Sequence, residues 1–98
     1  MKEHIDYLST LFVGIDIASR VHVVSALDFN EQFYIKMKSV ENTQKGAGLI
    51  EQMISDVLEH NHQFKYVVIG MEATGFYEVH LANYLSASDL LAPFSFNA

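Results

Sequence analysis

Apolar positions recur at two different spacings along this chain, and the change from one to the other divides it. Leu11-Phe12-Val13-Gly14-Ile15-Asp16-Ile17 is a nearly continuous apolar run rich in β-branched residues, the pattern of a central strand covered on both faces. Val21 to Asp28 is a second run, and Ala18-Ser19-Arg20 between them is too short for a parallel crossover, so the two strands are expected to be antiparallel. Phe33-Tyr34-Ile35-Lys36-Met37-Lys38 alternates apolar or aromatic with polar after the turn residues Asp28, Asn30 and Glu31. It extends the meander as an outer strand with one solvated face.

The spacing then lengthens to the helical period: Leu49, Ile50, Met53, Ile54, Val57 and Leu58 form one stripe. Asn42 and Thr43 are candidate caps, the helix begins at about Lys45, and it should end near His60-Asn61-His62, where Asn can take the left-handed conformation. Tyr66-Val67-Val68-Ile69-Gly70-Met71-Glu72 is a further apolar run, and strand, helix, strand at these lengths suits a right-handed crossover into a parallel position. Thr74-Gly75 opens a second helix with Tyr77, Leu81, Tyr84 and Leu85 on one side, and Ser86-Ala87-Ser88 breaks it. Residues 90–96 read as a last strand, which Pro93 confines to an edge. The order β-β-β-α-β-α-β predicts an α/β fold with a mixed five-stranded sheet ordered 3-2-1-4-5 and two helices, a ribonuclease H-like arrangement.

Composition narrows the class. Ninety-eight residues, half of them apolar and 18% charged, leave room for one packed domain and argue against a disordered segment. No apolar run reaches the length of a membrane span and the start mixes both charge signs, so the chain reads as unexported and cytoplasmic. With no cysteine there is neither a disulfide framework nor a thiolate metal site. A formal net charge of -6 is the wrong sign for gripping a phosphate backbone unaided, so any nucleic-acid role calls for metal ions or basic surface from elsewhere.

The sharpest chemical feature is a duplicated local pattern. Val13-Gly14-Ile15-Asp16 and Ile69-Gly70-Met71-Glu72 each end an apolar strand with a carboxylate two residues after a glycine. Alternation puts each glycine on the same face as its acid. If the strands are parallel neighbours, both carboxylates emerge at the carboxyl end of the sheet, about 5 Å apart by the strand spacing. Such a pair suits Mg²⁺ or Mn²⁺ and, through it, phosphodiester cleavage or transfer. Alternatives stay open: a strand-end acid can simply meet water or cap the next turn, Glu72 can be a first-turn residue of the following helix, and the glycines can relieve crowding within the sheet.

Residues 12–23 together with Val68-Ile69-Gly70-Met71-Glu72-Ala73-Thr74-Gly75-Phe76-Tyr77 resemble the amino-terminal domain of DEDD transposases of the IS110 insertion-sequence group. Their catalytic fold is similar to that of the RuvC Holliday-junction resolvase. The resemblance implies that residues 1–98 are the amino-terminal part of a ribonuclease H-like transposase domain, incomplete at its carboxyl end. It implies DNA strand cleavage and transfer, with Asp16 and Glu72 as the first two members of a metal-holding acidic tetrad whose later aspartates have no counterpart here. It also implies DNA and a guide RNA as partners through the full-length protein. Separately, a domain cut before its remaining helices should leave apolar surface uncovered, so a second copy of the chain is an expected partner. A fragment of this kind is expected to bind Mg²⁺ or Mn²⁺ weakly and not to cut DNA by itself.

Other residues invite weaker readings. Ser19 and Arg20 follow Asp16 and suit a phosphate contact, or a tight turn with a snorkelling Arg; Thr74 and Gly75 suit backbone donation to a phosphate, or a plain N-cap. His60 and His62 suit a transition metal or an exposed helix end. His22 reads as an ordinary strand residue, and Tyr77, Tyr84, Phe76 and the methionines as core. Two other functions compete with the transposase reading. One is an actin-like sugar kinase, weakened because Ile17-Ala18-Ser19-Arg20 lacks the small Gly-containing turn that wraps phosphate. The other is a non-catalytic dimerisation or RNA-binding module, which would ignore both metal and an Asp16→Asn change.

Overall fold

The computed structural model describes residues 6–73 and, after them, Leu81, Tyr84, Leu85, Ala87, Ser88, Leu90, Leu91 and Phe94. A single 3-10 turn, Tyr7–Ser9, is capped by Asp6, whose carboxylate accepts the Leu8 N–H at 3.1 Å and the Ser9 hydroxyl at 2.9 Å. It leads into β1 (Thr10–Ile17), β2 (Val21–Leu27) and β3 (Phe33–Glu41), then α1 (Gln44–His60) and β4 (Tyr66–Ala73). The sheet runs β3-β2-β1-β4. β1 pairs antiparallel with β2 and parallel with β4, and β2 pairs antiparallel with β3, so the first four places of the expected order hold.

One face of this mixed sheet is the core. Leu11, Val13, Ile15 and Ile17 of β1, Val24 and Ala26 of β2, Ile35 of β3, and Val67 and Ile69 of β4 are buried with Ile50, Ile54 and Leu58 of α1. A helix is needed there because alternation sends a full set of aliphatic side chains to one side, and each that is fully buried contributes roughly 1.5–3 kcal/mol. Thr43 starts α1: its hydroxyl accepts the Gly46 N–H at 2.9 Å. The buried stripe is narrower than the periodicity suggested. Leu49 is 52% exposed, and Gly46, Ile50, Ile54 and Leu58, four apart, make the contact face, with Met53 and Val57 half-buried at its margin.

Several expectations are corrected. β1 is not covered on both faces: Gly14 and Asp16 are exposed and Phe12 half-buried, because α1 packs on one side of the sheet only. β3 does not alternate cleanly, since two register shifts against β2 interrupt it and Met37 adopts a positive φ of 47°. Asn61 ends α1 with φ of -135°, outside the left-handed region; its side-chain amide instead donates to the Val57 carbonyl at 2.8 Å. Of the expected second helix, Leu81, Tyr84 and Leu85 are helical and the rest of 74–85 lies outside the described residues. Of the expected fifth strand, Leu90 and Leu91 are in a turn and Phe94 in a bend, and the rest of 90–96 lies outside them too. Among the described residues no helix is long and apolar enough to cross a membrane.

Candidate functional site

The register of β1 on β4 builds the site. Thr10 lies beside Tyr66 and Ile17 beside Ala73, which sets Gly14 next to Gly70 and Asp16 next to Glu72. Adjacent strands are about 5 Å apart, so the two acids leave the sheet as neighbours. Both belong to the parity that faces away from α1, and both are exposed. β2 continues the rows, with Ser25 beside Gly14 and Val23 beside Asp16. Gly14, Asp16, Ser25, Met37, Gly70 and Glu72 line one open trough of about 780 Å³. A smaller cavity of about 420 Å³ lies elsewhere, between His22, Asn42, Thr43, Ala47, Leu81 and Tyr84, and contains neither acid.

Glu72 lies inside β4 rather than in the first turn of a helix. The crowding account of the glycines is also set aside: among the described residues a Cβ built at Gly14 or at Gly70 meets no atom within 4 Å. Their missing side chains leave the trough floor as bare backbone immediately before the carboxylates. Gly46 is the opposite case, where a Cβ would run into the Glu41 carbonyl oxygen. Among the described residues no third histidine, cysteine or carboxylate joins Asp16 and Glu72.

The turn that follows Asp16 is held from behind. The Ala18 N–H donates to His22 Nδ1 at 3.2 Å, and His22 is only 3% exposed. The Asn42 side-chain amide donates to the carbonyls of Ala18 and Ser19 at 3.2 and 3.1 Å, and the Asn42 N–H donates to the Arg20 carbonyl at 2.8 Å. Sequence reasoning missed both roles: His22 looked like an ordinary strand residue and Asn42 a candidate cap, whereas Thr43 is the cap. Nothing local signals the Asn42 contact, which spans 23 to 24 residues.

The remaining candidates scatter. Ser19 and Arg20 are exposed on the turn, while Thr74, Gly75, Phe76 and Tyr77 lie outside the described residues. His60 Nδ1 pairs with the Asp56 carbonyl at 2.8 Å, and His62 is exposed without joining a ligand cluster. Met37, 71% exposed, and Tyr84, 36% exposed, are not core. The Tyr84 hydroxyl donates to Glu51 at 3.1 Å and Ser88 donates to the other oxygen of that carboxylate, tying the later segment to α1. That bond, with desolvation and the Glu51 charge behind it, raises the Tyr84 phenol above its ordinary value.

No curated protein matches the chain. The family model of the DEDD transposases of the IS110 group, described as transposase, matches residues 13–93, more than half of the chain and a span that contains both glycine-acid strand ends. The chain therefore belongs to the DEDD transposase family of the IS110 group.

Proposed function

We propose that this chain is the amino-terminal part of a ribonuclease H-like catalytic domain that cleaves and transfers DNA strands, with Asp16 and Glu72 sharing a Mg²⁺ or Mn²⁺ ion. One observation carries the reading: two carboxylates stand side by side at the carboxyl ends of neighbouring parallel strands, directly beyond two glycines that no atom of the described residues requires. Hard divalent cations take oxygen ligands, and Mg²⁺ keeps several waters, so an exposed carboxylate pair on an open trough fits part of such a shell. When bound, the ion supplies charge stabilisation to phosphate oxygens in an in-line displacement.

The chain's own contribution is rigidity and access. Ile15, Ile17 and Ile69 anchor the two strands in the core, so the acids that alternate with them need little ordering on binding. Gly14 and Gly70 keep the approach clear for a backbone-sized group. Ser19 and Arg20, and beyond β4 in the sequence Thr74 and Gly75, are the proposed phosphate contacts. Because the chain carries a net charge of -6, DNA and a guide RNA are engaged through the metal and through basic surface of other segments or partners.

Calorimetric titration with Mn²⁺ tests the pair. The chain should give a weak saturable isotherm that Asp16→Asn and Glu72→Gln each abolish; identical isotherms for all three proteins would remove both residues from a metal site. A second reading, self-association, draws support from a row of Phe33, Leu27, Phe12 and Val68 across the open face, with Tyr7 stacked on Phe12 and on Phe29 at 6.3 and 6.1 Å. Light scattering that reports a monomer at high concentration would exclude it.

A further inference from the structure

We propose that the turn after β1 is a phosphate cradle in which the backbone N–H groups of Ser19 and Arg20, backed by the Arg20 guanidinium, hold a phosphodiester of a single nucleic-acid strand, and that Asn42 is the positioning residue that aims them. The choice of a nucleic-acid strand as ligand rests on the reading of the Asp16 and Glu72 pair given above; the geometry of the cradle does not.

Three consecutive carbonyls, those of Ala18, Ser19 and Arg20, point at the one residue Asn42. In a trans peptide the C=O of one residue and the N–H of the next lie antiparallel, and there is no cis peptide among the described residues. The N–H groups of Ser19 and Arg20 are thereby turned away from Asn42. Asn42 follows β3 and the turn follows β1 directly in the chain, so the two N–H groups lie on the side of this turn that Asn42 does not occupy.

The turn's first N–H, that of Ala18, is engaged separately. His22 Nδ1 accepts it at 3.2 Å, which pins the start of the turn. Among the described residues neither the Ser19 nor the Arg20 N–H has an acceptor, and both residues are exposed. Successive unpaired N–H groups in a turn form an anion-binding concavity, and the planar Arg fork matches phosphate oxygens. Ser19 lies three residues from Asp16, no more than about 11 Å along the backbone. A phosphate held there belongs to the same strand that reaches the carboxylates. Neutral N–H donors also explain how an acidic chain approaches a phosphate without a basic patch.

The test is an amide-resolved titration of the ¹⁵N-labelled chain with an eight-nucleotide oligothymidylate in metal-free buffer, beside its uncharged methylphosphonate counterpart. The Ser19 and Arg20 amide resonances should move with the phosphodiester and stay with the methylphosphonate. Asn42→Ala should weaken the apparent affinity about tenfold, the loss expected when one donor set no longer holds its partners in place. Asp16→Asn should keep the shifts, since it leaves the cradle intact. Mn²⁺ broadening of the Asp16 and Glu72 amides, recorded without oligonucleotide, reports the metal pair by itself, so either idea can fail alone. Ser19 and Arg20 amides that stay put at millimolar oligothymidylate, or that move equally with the uncharged analogue, overturn the cradle. Unchanged affinity in Asn42→Ala overturns the role of Asn42.

Discussion

Successive residues of β1 meet opposite fates. Leu11, Val13, Ile15 and Ile17 are at most 3% exposed against α1, while Gly14 and Asp16 between them stand open to solvent. The same division runs through β4, where Val67 and Ile69 are fully buried and Gly70 and Glu72 are exposed. Stability is thus carried by one face of these strands and the proposed chemistry by the other, and alternation keeps them from interfering. A side chain can change on the open face without opening a void in the core, and the core can fix an acid's position without touching it.

The comparison breaks most visibly from the covered side. Ile69→Ala removes a fully buried side chain from the strand behind Glu72 and should cost about 3 kcal/mol, read as a lower urea midpoint with little change in slope. A cost under about 1 kcal/mol would mean that the core relaxes around the gap and that α1 does not pack tightly on β4.

The two kinds of glycine sharpen it next. Gly46→Ala would gain about 1 kcal/mol from helix propensity at an ordinary helical position. Here the new methyl meets the Glu41 carbonyl oxygen, which is backbone and cannot step aside. A net loss of about 2 kcal/mol is expected in thermal unfolding. Gly14→Ala and Gly70→Ala, where a Cβ meets no described atom, should raise stability by about 0.5–1 kcal/mol. Both should nevertheless weaken oligonucleotide binding, because the floor of the trough rises. A large stability loss in either would show that the open face is covered in solution.

Thr43→Ala removes the hydroxyl that accepts the Gly46 N–H and should cost about 1 kcal/mol by urea unfolding, leaving the proposed Mn²⁺ binding at Asp16 and Glu72 unaffected. The smallest effect concerns Tyr84. Its phenol is raised by the hydrogen bond to Glu51 first, so the neutral form is favoured in the folded chain. Whatever that bond contributes is fully present below the ordinary phenol value of 10.0 and is lost as pH rises through the raised one. Ultraviolet titration of the phenolate should show the Tyr84 component moving down in Glu51→Gln; an unmoved component would separate Tyr84 from Glu51.

Much of the architecture is legible in the chain because backbone geometry is local. The runs at 11–17 and 66–72 read as strands from their β-branched residues, and the starts and ends of β1, β2, α1 and β4 lie within about two residues of the expected positions, a shift common to any boundary assignment. The repeat of glycine, any residue, acid at the ends of two runs anticipated the row that sets Asp16 beside Glu72. β3 was less legible, since its register shifts depend on how it meets β2 rather than on its own alternation.

The sequence by itself determined the periodicities, the short β1–β2 connection that enforces antiparallel pairing, and the pairing of each acid with a glycine two residues before it. Those follow from spacing along one segment, which every residue carries wherever the segment goes. Only the tertiary structure decided that one face of the sheet is open, that among the described residues a Cβ at Gly14 or Gly70 would meet nothing while one at Gly46 would, and that Asn42 reaches back to the turn beyond Asp16. Such contacts depend on which faces meet after the chain has closed long loops. A side chain's chemical type does not encode the distance to a partner more than twenty residues away.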